Sequence, residues 1–399
     1  MLIDEICELL IEELMATGYD ESTIFNYRGV IRRFKAHCFK LGVTEYSPAV
    51  GQTYADDVIS IKTGKFSKQR YETQGRFIRL LNSYYYNQSF CFDVKKRGKI
   101  QPTNPIHLQI YKNYVSFLSI TYTNINTRHF YEYGMYYLLK YMDQIGINNI
   151  EDLSVDSVYS YLASSKPERQ RGILCELRLI FRYLKRDDLL EAIAGVRAPR
   201  FKRIISTLTD EEFNRIIDVI NSGDISLRDA AIVLVGLTCG IRSCDLINLR
   251  ISDIDWIKET ISFKQSKTGN TVILPLTTIV GNAIAKYLCD ERPKTDNDYL
   301  FVRQIAPFNP LADHASCYAI VAKVFAKANV SKDSRIFGMH MLRHNAASTM
   351  VRNQVPIETI AAILGHATPD TTDIYITTDN ERLKECVLPM TGISTEVNS

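Results

Sequence analysis

Residues 340–375 read HMLRHNAASTMVRNQVPIETIAAILGHATPDTTDIY. Apolar residues recur at helical spacing through most of this stretch, which predicts helices over residues 340–353 and 356–364. The same stretch contains the sequence HMLRH at 340–344, the sequence LGH at 364–366, and Tyr375, nine residues beyond His366. Helical periodicity and side chains capable of acid–base and nucleophilic chemistry therefore coincide in this stretch.

The sequence upstream predicts a mostly helical domain with a small antiparallel β-sheet. Thr209 and Glu212 form a capping-box pattern before an apolar face of Phe213, Ile216, Ile217 and Ile220. Helical patterns follow over residues 228–240, 280–288 and 313–328. Two alternating stretches, 260–264 and 271–274, flank the turn sequence Ser266-Lys267-Thr268-Gly269-Asn270. This pattern predicts a β-hairpin with a lysine at its tip.

Two basic, proline-containing segments predict domain boundaries. The first contains Lys95, Lys96, Arg97 and Lys99, and the second contains Arg197, Arg200, Lys202 and Arg203. We interpret both as contacts to a DNA backbone, although a solvated linker would look the same. The predicted domains are an N-terminal helical domain at 1–97, a second helical domain at 105–196, a C-terminal domain at 203–390 and a flexible tail at 391–399.

The first two predicted domains resemble each other. Thr23, Tyr27, Gly42 and Val43 align with Thr127, Tyr131, Gly146 and Ile147 at a constant offset. Four later residues align at a slightly shorter offset, namely Arg70, Arg79, Leu80 and Tyr84 with Arg169, Arg178, Leu179 and Tyr183. Apolar residues at helical spacing, such as Tyr27, Ile31, Phe34 and Cys38, or Tyr133, Tyr137, Leu138 and Tyr141, predict a bundle of about four helices in each.

Composition narrows the class of protein. The net charge is only +3 over 399 residues, so any DNA affinity must come from local basic clusters. The nine cysteines have no disulfide or zinc-ligand spacing, which favours a reducing compartment and argues against a metal site. The acidic start and the short apolar runs predict neither a secretory signal nor a membrane span. We therefore expect a cytoplasmic, nucleoid-associated protein.

Five features occur in a fixed order: the segment 240–246 with Arg242, the hairpin Lys267, the sequence HMLRH, the sequence LGH, and Tyr375. Their order and spacing resemble the catalytic domain of the tyrosine recombinases, the family of phage integrases and chromosome-dimer resolvases. The resemblance covers roughly residues 205–390. The two helical repeats are more loosely similar to the SAM-like core-binding domains of that family. It implies a site-specific DNA recombinase that works through a 3′-phosphotyrosyl intermediate, serving a mobile element or prophage.

The chemistry accounts for the residue types. Two guanidiniums, those of Arg242 and Arg343, can bind both non-bridging oxygens of a phosphodiester and stabilise the charge of the transition state. His366 can donate a further hydrogen bond. Tyr375 is the expected nucleophile; its phenol has a pKa of about 10, so the anion costs about 4 kcal/mol at neutral pH without nearby positive charge. His340 is the expected general base or a positioning donor.

Three further assignments follow from the resemblance as much as from chemistry. Lys267 is the expected general acid for the 5′-oxygen that leaves. Asp245 either orients an arginine or packs structurally, and its position often holds Glu in the family. His344 is expected to support the site without acting on substrate.

The resemblance implies double-stranded DNA as partner and no cofactor or metal. It also implies a homo-oligomer, a dimer on each site and a tetramer in the synapse, joined through a tail at residues 380–390, which could instead pack on its own domain. An accessory directionality factor is conceivable in this family. Three alternatives remain: a type IB topoisomerase-like enzyme, a catalytically silent DNA-binding regulator, and a helical scaffold. Integration, excision, transposition and dimer resolution share one chemistry, so the sequence does not choose among them.

Overall fold

The computed structural model describes residues 1–60, 63–92, 100–199, 207–333 and 335–365. These residues fall into two compact units. One unit contains the residues up to 92 together with those from 207 onward, and the other contains residues 100–199. The segment up to 92, the segment 100–199 and the segment from 207 onward each enclose a hydrophobic cluster of their own.

The segment up to residue 92, called here the N-terminal bundle, contains four helices. They are α1 (Ile3–Ala16), α2 (Glu21–Lys40), α3 (Pro48–Asp56) and α4 (Lys68–Asn87). Asp20 caps α2 by accepting a hydrogen bond from the Thr23 amide, and Ser47 caps α3 by accepting one from the Val50 amide. The apolar stripe predicted on α2 is buried, with Phe34 fully enclosed.

The unit at residues 100–199, called here the middle bundle, repeats this plan. Its helices are α5 (Pro105–Thr121), α6 (Ile125–Gln144), α7 (Val155–Ala163), α8 (Pro167–Tyr183) and the short α9 (Asp187–Ala192). Helices α2 and α6 both have 20 residues, and α3 and α7 both have nine. Asn124 and Ser154 cap α6 and α7, as Asp20 and Ser47 cap their counterparts.

The ends of α2 and α6 also correspond. Gly42 and Gly146 both have positive φ, 67° and 76°. The next residue then donates a hydrogen bond back into the helix, from Val43 to the Cys38 carbonyl and from Ile147 to the Met142 carbonyl. The aligned glycines predicted from sequence therefore end equivalent helices in the same way.

One face predicted for the middle bundle is wrong. Of the residues Tyr133, Tyr137, Leu138 and Tyr141, only Leu138 is buried, and Tyr133 and Tyr137 are exposed. The buried face of α6 is made by Met135, Leu138, Leu139 and Met142. Tyrosine fits either side of a helix, because its ring is apolar and its hydroxyl is polar.

The part from residue 207 onward, called here the C-terminal part, is mostly helical. Its helices are α10 (Asp210–Asn221), α11 (Leu227–Cys239), α12 (Ser243–Leu246), α13 (Thr278–Lys286), α14 (His314–Lys327), α15 (Met339–Arg352) and α16 (Ile357–Leu364). The capping box at Thr209 and Glu212 forms as predicted, with both hydrogen bonds present. Arg335 makes an ion pair with the same glutamate at 2.7 Å.

The sheet is small and antiparallel. Its strands are β1 (Ile254–Asp255), β2 (Thr260–Lys264) and β3 (Thr271–Pro275), in that order. The predicted hairpin is β2–β3, in which Lys264 pairs with Thr271. The two-residue β1 was not predicted, because so short a strand leaves no alternating pattern. The predicted fold class, tandem helical bundles followed by a mainly helical domain with a small antiparallel sheet, is confirmed.

Candidate active site

Arg242 is held between the hairpin and the end of α16. Gly240 ends α11 with a φ of 59°, and the chain then turns so that Arg242 precedes α12. The Arg242 Nη1 donates to Gln265 Oε1 at 3.0 Å, and its Nη2 donates to the Gly365 carbonyl at 3.3 Å. Arg242 is half-buried.

Arg343 approaches the same helix end from α15. Its side chain is only 6% exposed. The Nη1 donates to the Gly240 carbonyl at 2.6 Å, and the Nη2 donates to the Leu364 carbonyl at 2.7 Å. The two arginines predicted to bind one phosphate are thus brought together on consecutive carbonyls, those of Leu364 and Gly365.

Close packing of α11 against α15 makes this arrangement possible. A Cβ at Gly236 would lie 2.7 Å from Leu342 Cδ1, so a larger residue there would force the Leu342 side chain to shift. A Cβ at Gly240 would lie 3.1 Å from Leu364 Cδ2 and 3.7 Å from Arg343 Cγ. Leu364 in turn belongs to a small buried cluster beneath α15 and α16. The end of α16 is therefore fixed by apolar packing, and the arginines are fixed by that end.

Gln265 connects the parts of the site, although sequence reasoning missed it. The side chain is 3% exposed. Its Oε1 accepts from Arg242 and, at 2.8 Å, from the Thr268 hydroxyl, while its Nε2 donates to the Leu364 carbonyl at 3.2 Å. A glutamine beside a polar turn is expected to face solvent, so no sequence signal marked it.

Asp245 fixes the base of the hairpin that bears Lys267. This carboxylate is 2% exposed, and its Oδ1 accepts a hydrogen bond from the Ser266 amide at 2.7 Å. Asp245 thus binds the hairpin backbone, which supports the structural side of the two roles left open by the sequence. Lys267 itself is exposed at the hairpin tip.

His340 lies in the electrostatic field of this cluster. It stands in the first turn of α15, is exposed, and its ring centroid is 6.4 Å from that of the half-buried His344. Partial desolvation lowers the pKa of His340 below its usual value of 6.5, and the positive charges of Arg343, His314, Arg242 and Lys267 lower it further. Four predicted site residues therefore share one region, together with His314, which the sequence did not mark.

Several predicted residues fall outside the described residues. They are His366, Tyr375, Lys95, Lys96, Arg97, Lys99, Arg200, Lys202 and Arg203. Arg197 is described and is exposed. It lines a groove of the middle bundle together with Arg171 and Arg178, both also exposed.

Two kinds of feature are absent from the described ranges. Those ranges contain no group of three or more His, Cys, Asp or Glu side chains placed to hold a metal ion. In the same part of the chain, no helix has the length and apolar character needed to cross a bilayer.

Comparison with known proteins identifies the family. The family described as "Phage integrase family" matches residues 206–382. A Sinorhizobium fredii protein named as integrase/recombinase y4gC is 39% identical over 173 residues, which cover 43% of this chain and 87% of that protein. Tyrosine recombinase XerA of Pyrococcus furiosus is 30% identical over 218 residues, covering 54% of this chain and 73% of XerA. The chain belongs to the phage integrase family.

Other relatives are matched over less of their length. The chain spans 60% of another Sinorhizobium fredii protein named as an integrase/recombinase, y4rF, at 30% identity over 255 residues.

Two solved structures share the fold. One is XerH site-specific recombinase bound to palindromic difH substrate, with 18% identity, a TM-score of 0.55, and coverage of 85% of this chain and 92% of that one. The other is a lambda integrase dimer bound to a COC′ core site, with 17% identity, a TM-score of 0.54, and coverage of 85% and 94%.

Proposed function

We propose that this phage integrase family member cuts and rejoins double-stranded DNA at specific sites through a 3′-phosphotyrosyl ester on Tyr375. One observation carries the proposal. The guanidiniums of Arg242 and Arg343 bind consecutive carbonyls of one helix end, in the region that also contains His340 and Lys267. Concentrated positive charge on rigid supports is what a phosphodiester undergoing substitution needs.

The arginines act on the scissile phosphate. Each is anchored by backbone carbonyls, so its position is set before DNA arrives. Forked N–H groups can then bind the two non-bridging oxygens and stabilise the extra charge of the pentacoordinate transition state. In this proposal His366 donates another hydrogen bond to the same phosphate.

Proton transfer is divided between a histidine and a lysine. The lowered pKa of His340 keeps its imidazole neutral at pH 7, so it can accept the proton of the Tyr375 hydroxyl. The Tyr375 oxygen forms a bond to phosphorus as the bond from phosphorus to the 5′-oxygen breaks. Lys267 gives its proton to that 5′-oxygen. The ester retains the bond energy, so rejoining is the reverse reaction with a new 5′-hydroxyl.

DNA contacts are proposed on both predicted linkers. Lys95, Lys96, Arg97 and Lys99 belong to the first, and Arg197, Arg200, Lys202 and Arg203 belong to the second. Arg197 has direct support, because it shares a groove with Arg171 and Arg178 and three exposed guanidiniums attract a phosphate backbone. The XerH and lambda integrase structures named above contain DNA, which agrees with this proposal.

The proposal also covers the oligomeric state of the enzyme and the kind of genetic element that it serves. A lambda integrase tetramer bound to a Holliday junction has the same fold, with 18% identity and a TM-score of 0.52. We propose a dimer on each site and a tetramer in the synapse, joined through residues 380–390. The Tn1549 transposon integrase, with 14% identity and a TM-score of 0.51, makes service to a mobile element a reasonable setting. We also propose three domains, at 1–97, 105–196 and 203–390, followed by a tail at 391–399. The proposal further includes an accessory directionality factor and a cytoplasmic, nucleoid-associated location.

Trapping of a covalent complex tests the chemistry. The full chain is incubated with duplexes that carry candidate sites and a nick close to the cleavage point, so that the released fragment diffuses away. We expect a protein–DNA adduct on a denaturing gel for the wild type and none for Tyr375→Phe. Tyr299→Phe is the matched control, since this half-buried tyrosine packs its ring on Arg250 at 4.7 Å and has no part in the proposed chemistry.

The products separate the remaining alternatives. A recombinase yields exchanged strands between two sites, whereas a topoisomerase-like enzyme yields only relaxed circles. A silent regulator binds DNA and forms no adduct, and a helical scaffold binds none. An adduct that persists in Tyr375→Phe would overturn the assignment of the nucleophile.

A further inference from the structure

Helix α15 contains His340 in its first turn, yet the residue that precedes the helix provides no side-chain cap. That residue is Gly338, which has a φ of 81° and no side chain to accept a hydrogen bond. The Met341 and Leu342 amides both donate to the Gly338 carbonyl, at 2.9 and 3.3 Å. Helix ends fray unless other contacts hold them, so the residues just before α15 decide how firmly its first turn is held. We call these residues, 335–338, the lead segment.

The lead segment packs on α14 through aromatic rings. The ring centroid of Phe337 lies 5.0 Å from that of Phe325 and 6.0 Å from that of Tyr318, in both cases edge-on. A Cβ at Gly338 would lie 2.8 Å from Tyr318 Cδ2, so the backbone passes close to that ring. Apolar packing is not directional, so these contacts hold the lead segment against α14 without fixing its position along the helix.

Arg335 supplies the directional contacts of the lead segment. Its Nη1 and Nη2 donate to the two carboxylate oxygens of Glu212, at 2.9 and 2.7 Å. The Nη2 also donates to the Ser331 carbonyl at 2.6 Å. The Arg335 side chain is 15% exposed and that of Glu212 is 12% exposed, so the pair is largely shielded from solvent. A forked arginine–carboxylate pair adds geometric specificity, so this pair fixes the position that apolar packing leaves open.

Glu212 is itself held in place by α10. It is the third residue of that helix, and its Oε2 accepts a hydrogen bond from the Thr209 amide at 3.0 Å, which completes the capping box. Helix α10 is bound in turn to the end of α14, where the Arg215 Nε donates to the Ala328 carbonyl at 2.9 Å. Arg335 holds the pKa of Glu212 below its ordinary value of 4.5, so the ion pair is intact at neutral pH. The carboxylate therefore meets the lead segment from a fixed support.

We infer that Glu212 is a positioning residue for DNA cleavage, which acts through Arg335 on the lead segment and thereby places His340. The inference rests on the proposed function, in which His340 accepts the proton of the Tyr375 hydroxyl. Proton transfer needs the two heavy atoms within about 2.6–3.2 Å of each other. A misplacement of about 1 Å can therefore cost on the order of 10²-fold in rate. Glu212 contacts neither DNA nor the reacting atoms in the proposed mechanism, so its effect must pass through His340.

A double-mutant cycle in the full chain tests the inference. Single-turnover cleavage of the nicked duplex is measured for Glu212→Gln, for His340→Gln and for the two changes together. Glu212→Gln keeps the shape of the side chain but removes its charge, so we expect a loss of roughly 10-fold, below the roughly 10²- to 10⁴-fold that a general base contributes. In the His340→Gln background the same change should cost less than about twofold, because residues that act through one group are not additive. Equal losses in both backgrounds would overturn the inference.

Asp229→Asn is the matched control. Asp229 is also a buried carboxylate at the third position of a helix, α11, and it pairs with Arg228 at 2.8 Å and with Lys323 at 3.1 Å. None of these three residues belongs to the lead segment. The variant should lower the unfolding temperature, yet cleave within about twofold of the wild-type rate at temperatures where it is folded. A loss in this control as large as that in Glu212→Gln would indicate an effect of general stability and would overturn the inference.

Arg335→Lys tests the same ion pair from its other side. The substitution keeps the positive charge but not the forked geometry, so cleavage should fall about threefold. In the His340→Gln background this loss should also disappear. A loss that is the same in both backgrounds would count against the inference, even if Glu212→Gln does not fold.

Amide hydrogen exchange provides a measurement that does not depend on activity. The Met341 and Leu342 amides, which donate to the Gly338 carbonyl, should exchange at least about fivefold faster in Glu212→Gln than in the wild type. Their exchange should be unchanged in Asp229→Asn. Unchanged exchange in Glu212→Gln would overturn the inference whatever the cleavage rates are. A wild-type chain that forms no covalent adduct would instead refute the proposed function, and the exchange result distinguishes the two failures.

Discussion

Replacing Gln265 by leucine should weaken DNA cleavage without removing any group that touches DNA in the proposed mechanism. The substitution deletes the acceptor for Arg242 Nη1, which lies at 3.0 Å, and leaves this guanidinium with the Gly365 carbonyl at 3.3 Å. The Leu364 carbonyl stays satisfied, because Arg343 still donates to it at 2.7 Å. The damage should therefore concentrate on the orientation of one arginine.

The magnitude follows from the bond that is lost. A hydrogen bond to a charged group contributes about 1.5–3 kcal/mol. Complete removal of an electrostatic donor at a reacting centre costs about 10²- to 10³-fold in rate. Gln265→Leu leaves the charge in place and loosens its geometry, so we expect a loss of roughly 10- to 100-fold, or about 1.4–2.7 kcal/mol of transition-state stabilisation.

Single-turnover cleavage of a nicked duplex measures the effect, with thermal unfolding followed in parallel. Thr268→Val is the companion variant. It removes the 2.8 Å bond from the Thr268 hydroxyl to the same Oε1 but leaves the Arg242 contact intact, so its rate should change less than about threefold. A Gln265→Leu enzyme that folds and cleaves at the wild-type rate would refute the positioning argument, as would a Thr268→Val enzyme that loses as much.

Four further outcomes are expected at the same site. Arg343→Ala should lower the cleavage rate by at least 10²-fold and also destabilise the fold, because the Gly240 carbonyl loses the Arg343 donor and the Leu364 carbonyl keeps only the Gln265 amide; rate and unfolding temperature together measure this. Lys267→Ala should be rescued by a substrate with a 5′-bridging sulfur, whose thiolate leaves without a proton, and no gain in rate on that substrate would exclude Lys267 as the acid. Because the pKa of His340 lies below 6.5, its imidazole stays neutral as the pH falls to 6.5, so kcat/KM should remain level to that pH and decline at lower pH. If the same decline persists in His340→Gln, another group causes it. Gly365→Ala should destabilise the protein and slow cleavage, since its Cβ would lie 2.1 Å from the Gln265 amide at a φ of 63°; an alanine variant with wild-type melting and rate would contradict this.

Helices could be predicted well where local capping and burial agree. The patterns at 313–328 and 340–353 were observed as His314–Lys327 and Met339–Arg352, and the capping box at Thr209 formed as expected. Side-chain oxygens of Asp313 and Thr209 cap α14 and α10 by accepting hydrogen bonds from first-turn amides, whereas α15 has no side-chain cap and follows from its apolar spacing. The prediction was wrong on α6, where the amphipathic rings of Tyr133 and Tyr137 were counted as core.

The sequence marked residues that the structure brings together, but it did not mark the side chains that support them. Arg242, His340 and Arg343 were predicted from spacing, and the structure brings them together with Lys267. Gln265 and His314 were missed, since their importance arises from contacts between residues far apart in sequence. Periodicity in a sequence indicates which face of a helix or strand is buried. It does not indicate a single buried amide such as that of Gln265, which joins a hairpin to the end of a helix far away in sequence.

The last carbonyls of α16 have a mechanical consequence. They seat both guanidiniums, and the backbone that continues from Gly365 leads directly to His366 and, nine residues later, to Tyr375. A displacement of this helix end would therefore move both guanidiniums at once, so the arginine pair responds to the end of α16 as a single unit.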